Sequence, residues 1–165
     1  RFCQVTGVQT CALPIWDGPL RARLAREAAA SSAAERISLV GRVERDELAR
    51  AFARADIYLQ ASTTESFGIS ALEARSAGLA VVALRTSTSG IGDFITDGVD
   101  GLLADDDAGL ADALASLLRD PGLLERIKEH NRAVAPLAEW GTVTEMNVSA
   151  YRRAVALRPG RRGPV

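Results

Sequence analysis

Five consecutive apolar residues, Ala80-Val81-Val82-Ala83-Leu84, constrain this chain more than any other feature. The run is far too short to cross a bilayer, which takes roughly 20 apolar residues. It also lacks the alternation of a strand with one wet face. A strand apolar at every position is buried on both sides, as at the centre of a parallel sheet covered by helices. The flanking text agrees. Arg36-Ile-Ser-Leu-Val40 alternates like a strand and stops at Gly41, Ile57-Tyr-Leu-Gln60 reads as another, and a short strand is expected after Gly101. Helical spacing or helix punctuation marks Pro19 to Ala30, Asp46 to Arg54, Phe67 to Ala77 with Gly78 as terminator, Ala108 to Leu118, a helix through Arg132 after punctuation at Pro121-Gly122, and Trp140 to Leu157. Strands alternating with helices predict an α/β fold with right-handed crossovers, a doubly wound, Rossmann-like parallel sheet.

With 165 residues, the chain is expected to hold one compact domain, and aromatics at 5% leave its core to Ala, Leu, Val and Ile. Twenty basic against twenty-one acidic side chains give a net charge of -1, so no global positive field exists to hold nucleic acid. Both cysteines, Cys3 and Cys11, fall within the first fifteen residues, whose composition differs from the Ala/Arg-rich remainder. Val5-Thr-Gly-Val-Gln-Thr-Cys-Ala-Leu-Pro-Ile15 resembles the in-frame translation of a sequencing adapter, so residues 1–15 are expected to be non-native and disordered. Residues 16–157 are expected to form the domain and 158–165 a flexible tail.

In open parallel sheets, ligands bind beyond the carboxyl ends of the strands, here the loops after Val40, Gln60 and Leu84. The second loop is the most informative: Glu65-Ser-Phe-Gly-Ile-Ser-Ala-Leu-Glu73 puts one acid in the loop and another on the helix, with Gly68 at the entry. The free amides around Phe67, Gly68 and Ile69, aided by the helix dipole, suit a phosphate. Glu73 has the acceptor geometry to take two ribose hydroxyls, and Glu65 would face whatever the phosphate carries. On spacing alone, a Glu-x7-Glu pair fits an ordinary charged helix equally well.

The wider text favours a site. Asp17-Gly-Pro-Leu, Val40-Gly41, Glu47-Leu48, Ala55-Asp56, Glu65 to Ala74, Ala77-Gly-Leu-Ala-Val-Val82, Asp97-Gly-Val-Asp-Gly-Leu102 and Trp140 occur in this order, and together they resemble the group-1 (family-4) retaining glycosyltransferases of GT-B fold. The resemblance covers roughly Trp16 to Ala156 and corresponds to the carboxyl-terminal, donor-binding half of that fold. It implies a nucleotide-diphospho-sugar donor, with Glu65 contacting the transferred sugar and Glu73 holding the ribose. Ser66, Phe67, Gly68 and Ile69 would meet sugar and diphosphate, and Gly41 and Val43 would border the nucleobase. Ser89, Gly90 and Asp93 stand where the family carries Gly-Gly-x-x-Glu, and Gly90 keeps a donor-binding place there.

The resemblance also implies an arginine and a lysine upstream of the Asp-Gly-Pro turn to offset the leaving diphosphate. That stretch would lie before Trp16, so the chain alone is expected to be inactive and truncated, with its acceptor half elsewhere. The acceptor would be a glycan, a lipid-linked or a small molecule. Lys128, the only lysine, reads as part of a solvated helix face, and His130 as a surface residue without a role. Asp105-Asp-Asp107 reads as a loop entering a helix, and no metal or other cofactor is expected. A cytoplasmic protein is expected, with weak contact at the inner membrane face as an option for the Arg-rich end. Two rivals remain at this level: a sugar-nucleotide epimerase of the same fold, and a non-catalytic α/β ligand-binding module.

Overall fold

The computed structural model of the protein describes residues 12–15, 17–136 and 140–156. These fall into two compact units, one ending at Ala51 and the other starting at Phe52.

The first unit holds helix α1 (Arg21–Ala30), a 3-10 turn at Ala34–Arg36 and most of helix α2 (Arg45–Phe52). The strand expected at Arg36 to Val40 is reduced to one parallel bridge, Ala12↔Ile37. Around it, the Ala12 amide donates to the Arg36 carbonyl at 2.8 Å, Ser38 to Ala12 at 3.0 Å, and Val40 to Pro14 at 3.3 Å. Pro14 has no N–H to continue the ladder, which is why the pairing stops short of a strand. The disorder expected of residues 1–15 falls largely outside the described residues, and the described part, 12–15, runs alongside 36–40 in this bridge.

The second unit carries strand β1 (Ile57–Gln60), helix α3 (Ile69–Ser76), strand β2 (Ala80–Leu84), a 3-10 turn at Gly90–Asp93 and strand β3 (Gly101–Ala104). Helices α4 (Asp107–Arg119), α5 (Pro121–Ala133) and α6 (Trp140–Ala156) follow. The tail call at 158–165, and Leu157 with it, lies outside the described residues. The sheet is parallel in the order β1–β2–β3, with Ile57 opposite Ala80 and Val81 opposite Gly101. All five residues of β2 are buried, as its composition requires. The period-2 geometry of the strand divides them between two cores. Val81 and Ala83 meet Ala71, Ile91, Phe94 and Ile95 on one face, while Ala80, Val82 and Leu84 meet Leu110, Leu117 and Ile127 on the other. Each Val or Leu so enclosed stabilises the fold by about 1.5–3 kcal/mol relative to exposure. Gly101 is tightly placed: a Cβ there would collide with the Val81 carbonyl.

Asp56, Leu79 and Asp100 each immediately precede a strand, and α5 ties all three amino ends together. Lys128 donates to Asp56 at 2.7 Å and to Glu125 at 2.6 Å. Asn131 Nδ2 donates to the Leu79 carbonyl at 2.8 Å and to the Asp100 carbonyl at 2.7 Å. The Arg75 guanidinium reaches Asp100 Oδ1 from α3 at 2.7 and 2.9 Å, and His130 Nε2 lies 3.3 Å from the same oxygen. Lys128 is therefore buried, not solvated as its sequence surroundings suggest, because two carboxylates from different parts of the chain compensate its ammonium. Burial alone would lower its pKa, but Asp56 and Glu125 outweigh that and raise it. His130, expected at the surface, is half-buried beside Asp100. Burial alone would likewise raise the Asp100 carboxyl, yet the Thr96 amide and the Arg75 guanidinium hold it below the ordinary carboxylate value.

Helix α6 has no buried residue. Among the described residues, no helix is long and apolar enough to cross a membrane.

Candidate functional site at the carboxyl ends of the strands

The loops leaving β1 and β2 are joined edge to edge. Glu65 and Ser89 form a parallel bridge, in which the Glu65 amide donates to the Thr88 carbonyl at 3.0 Å and the Gly90 amide to the Glu65 carbonyl at 3.0 Å. Thr86 and Thr88 both donate their hydroxyls to the Thr63 carbonyl, at 2.6 and 2.8 Å. Gly90 packs so closely on the first loop that a Cβ would lie 2.7 Å from the Ser66 carbonyl oxygen. Two loops that are separate in sequence thus form one rim.

The rim leads into α3, which starts at Ile69, two residues later than the expected Phe67. Gly68 is the reason: as the N-cap it adopts φ +83°, and a Cβ there would meet Ile91 Cγ1 at 2.7 Å. No side chain caps this terminus. The first helical bond runs from the Leu72 amide to the Gly68 carbonyl at 3.1 Å, and no described residue accepts from the amides of Gly68, Ile69, Ser70 or Ala71. Phe67 stacks on Phe94 with ring centroids 5.2 Å apart, which anchors the turn, while Ser66 and Ile69 are exposed beside it.

Beneath the rim runs a chain of polar side chains. Glu65 Oε2 accepts from Gln60 Nε2 at 2.9 Å. The Tyr58 hydroxyl proton is shared between Ser70 Oγ at 2.8 Å and Gln60 Oε1 at 3.2 Å. Burial raises the Tyr58 pKa, and the negative charges of Glu65 and Glu73 push it further up against the opposing Ser70 hydrogen bond. Both carboxylates are therefore near enough to this hydroxyl for their charges to act on it. Glu73 is exposed and Glu65 half-buried.

Glu65, Ser66, Phe67, Gly68 and Gly90 thus share the rim, with Ile69 opening α3 and Glu73 further along it. Gly41 and Val43 belong to the first unit, where Gly41 is buried against the Arg21 guanidinium at φ +74°. Among the described residues, no group of three or more His, Cys, Asp or Glu side chains is gathered as a metal site would require.

The glycosyl transferases group 1 family matches residues 3–134. The chain belongs to this family. A D-inositol 3-phosphate glycosyltransferase from Xylanimonas cellulosilytica is 35% identical over 121 residues, covering 72% of this chain and 28% of that protein. Across such curated relatives, the chain spans 25 to 30% of their length. Among solved structures, the carboxyl-terminal domain of a glycosyl transferase group 1 protein, LpcC from Francisella tularensis, is 25% identical with a TM-score of 0.59, covering 68% of this chain and 58% of that one. Anabaena Alr3699/HepE in complex with UDP aligns with a TM-score of 0.65 at 23% identity, covering 82% of this chain and 36% of that chain. The parallel sheet with helices on both faces is accordingly the α/β fold of GT-B glycosyltransferases.

Within this group 1 chain, sequence reasoning passed over Tyr58, Gln60 and Ser70. A signal was present. Tyr58 and Gln60 stand two apart on one strand and so share a face, and a polar residue closing a buried strand faces a loop that contains an acid.

Proposed function

We propose that this chain is the donor-binding domain of a retaining glycosyltransferase, which moves a sugar from a nucleotide diphosphate to an acceptor hydroxyl. The observation that carries this reading is the uncapped amino end of α3, with four amides lacking acceptors, Glu65 in the loop before it and Glu73 within the helix. Such a terminus stabilises an anion through its N–H groups and its dipole. In this reading the diphosphate sits on the Gly68 to Ala71 amides with Gly90 packed beneath the rim. Glu73 accepts from the ribose hydroxyls, and Glu65 accepts from a hydroxyl of the sugar. The bond between the anomeric carbon and the diphosphate breaks, the acceptor oxygen bonds from the face that the diphosphate leaves while its proton passes to the departing diphosphate, and the configuration is retained. In this reading the helix terminus offsets part of the diphosphate charge, and the arginine and lysine that the resemblance implies offset the rest. Support comes from family membership and from the UDP held by the solved Anabaena relative.

Calorimetric titration of the 165-residue chain with UDP and UDP-glucose tests this through donor binding. Glu73→Ala is expected to weaken both ligands by about tenfold, the worth of a charge-assisted hydrogen bond. Glu65→Ala is expected to leave UDP unchanged and to remove the extra affinity that the sugar confers. The reverse pattern, or no binding of either ligand by the unaltered chain, overturns the reading.

A further inference from the structure

We infer that Gln60 is a positioning residue for the sugar-contacting carboxylate: through its Nε2 it holds Glu65 in the one orientation that leaves Oε1 open to the donor sugar. The inference rests on the reading of Glu65 above and adds a residue that reading does not need.

Gln60 ends β1 and is buried, 6% exposed as a residue, so its orientation is set by packing and its polar atoms must find partners inside the protein. Its two ends are chemically different, and its surroundings sort them. A carboxylate only accepts, so the NH₂ end must face Glu65, and the carbonyl end then faces the Tyr58 hydroxyl, the donor on the other side. Tyr58 keeps its proton because burial and two nearby carboxylates disfavour the phenolate. Ser70, on the other side of Tyr58, belongs to the first turn of α3 and so to the helix end whose amides are open. One chain of hydrogen bonds therefore links the carboxylate to the amide cradle: Glu65, Gln60, Tyr58, Ser70.

The choice of a neutral donor matters. An arginine at this place would form a full ion pair with Glu65 and blunt its attraction for sugar hydroxyls. A glutamine takes one oxygen and leaves the charge. Among the described residues, Oε2 of Glu65 has that single partner and Oε1 has none.

The test is a double-mutant cycle on the full 165-residue chain, read as the ratio of UDP to UDP-glucose dissociation constants. Gln60→Leu is expected to lower this ratio about tenfold, as Glu65→Ala does, with UDP affinity unchanged. Combining the two changes should lower it no further than Glu65→Ala alone. Gln60→Met is a second variant of similar volume that keeps the strand end filled, and it should behave like Gln60→Leu. A Gln60 variant that folds, by its near-ultraviolet dichroism, and keeps the full ratio overturns the positioning role while the reading of Glu65 stands. Fully additive losses overturn it as well. A Glu65→Ala chain with an undiminished ratio overturns the reading of Glu65 itself, and the role of Gln60 with it.

Discussion

The two ends of the sheet use charge in opposite ways. At the amino ends, Asp100 is buried and accepts from a guanidinium and a backbone amide, and Lys128 is buried with two carboxylates at hydrogen-bond distance. At the carboxyl ends, Glu65 has one neutral donor and the first turn of α3 has no cap. The contrast extends to the helices. Asp106 and Asp120 cap α4 and α5, accepting from the amides of Gly109 at 2.7 Å and Leu123 at 2.9 Å, whereas the N-cap of α3 is a glycine with no side-chain oxygen to offer. Polar groups that satisfy one another hold the fold. Those left open are free to satisfy a ligand, and in this chain they lie at the end of the sheet where parallel α/β proteins bind theirs.

The largest effect that would sharpen this division is Arg75→Ala. It leaves the Asp100 carboxylate buried without its cation and should cost about 3–5 kcal/mol in urea denaturation. The ratio of UDP to UDP-glucose affinities should be unchanged in the surviving folded fraction. A large fall in that ratio would break the division between the two ends. Gly68→Ala should affect stability and binding together, costing about 1–3 kcal/mol of stability through its positive φ and the clash with Ile91, and weakening UDP as the amides turn away. Asp120→Ala removes a cap and should cost about 1 kcal/mol in thermal unfolding with no change in donor affinity. The smallest effect is expected of Lys128→Met. Its partners Asp56 and Glu125 are mostly exposed and regain water, so stability should stay within about 1 kcal/mol.

Acid should distinguish the ends too. The Asp100 carboxyl titrates below its unfolded value, so its contribution is complete above about pH 4 and is lost as pH falls through the lower folded-state value. Arg75→Ala should flatten that part of the stability profile, measured as urea midpoints between acid and neutral pH. An unaltered profile would show that the pair does not set the acid limit.

Most of the fold was legible along the chain, because helices and strands announce themselves over a few residues. The apolar run at β2 marked the central strand, Gly78 ended α3, and Pro121-Gly122 marked the break between α4 and α5. The segment at 36–40 misled because alternation reports only which side chains could be buried, whereas a strand also needs a partner with amides to donate, and Pro14 has none. In the candidate site, Glu65, Gly68 and Glu73 could be read because they lie within nine residues of one another. Tyr58 and Gln60 were a few residues away but needed the direction of the strand face to be seen.

What the amino-acid sequence determined by itself is local: the order of strands and helices, the buried character of β2, and the placing of two acids around a helix entry. Only the tertiary structure decided which charges are spent within the protein. Lys128 and Asp56 are 72 residues apart, and Asn131 and Leu79 are 52 apart. No periodicity carries information over such distances. Whether a lysine is solvated or buried depends on whether folding brings a carboxylate to it, and that is a property of the packed sheet and not of the residues beside it in the chain.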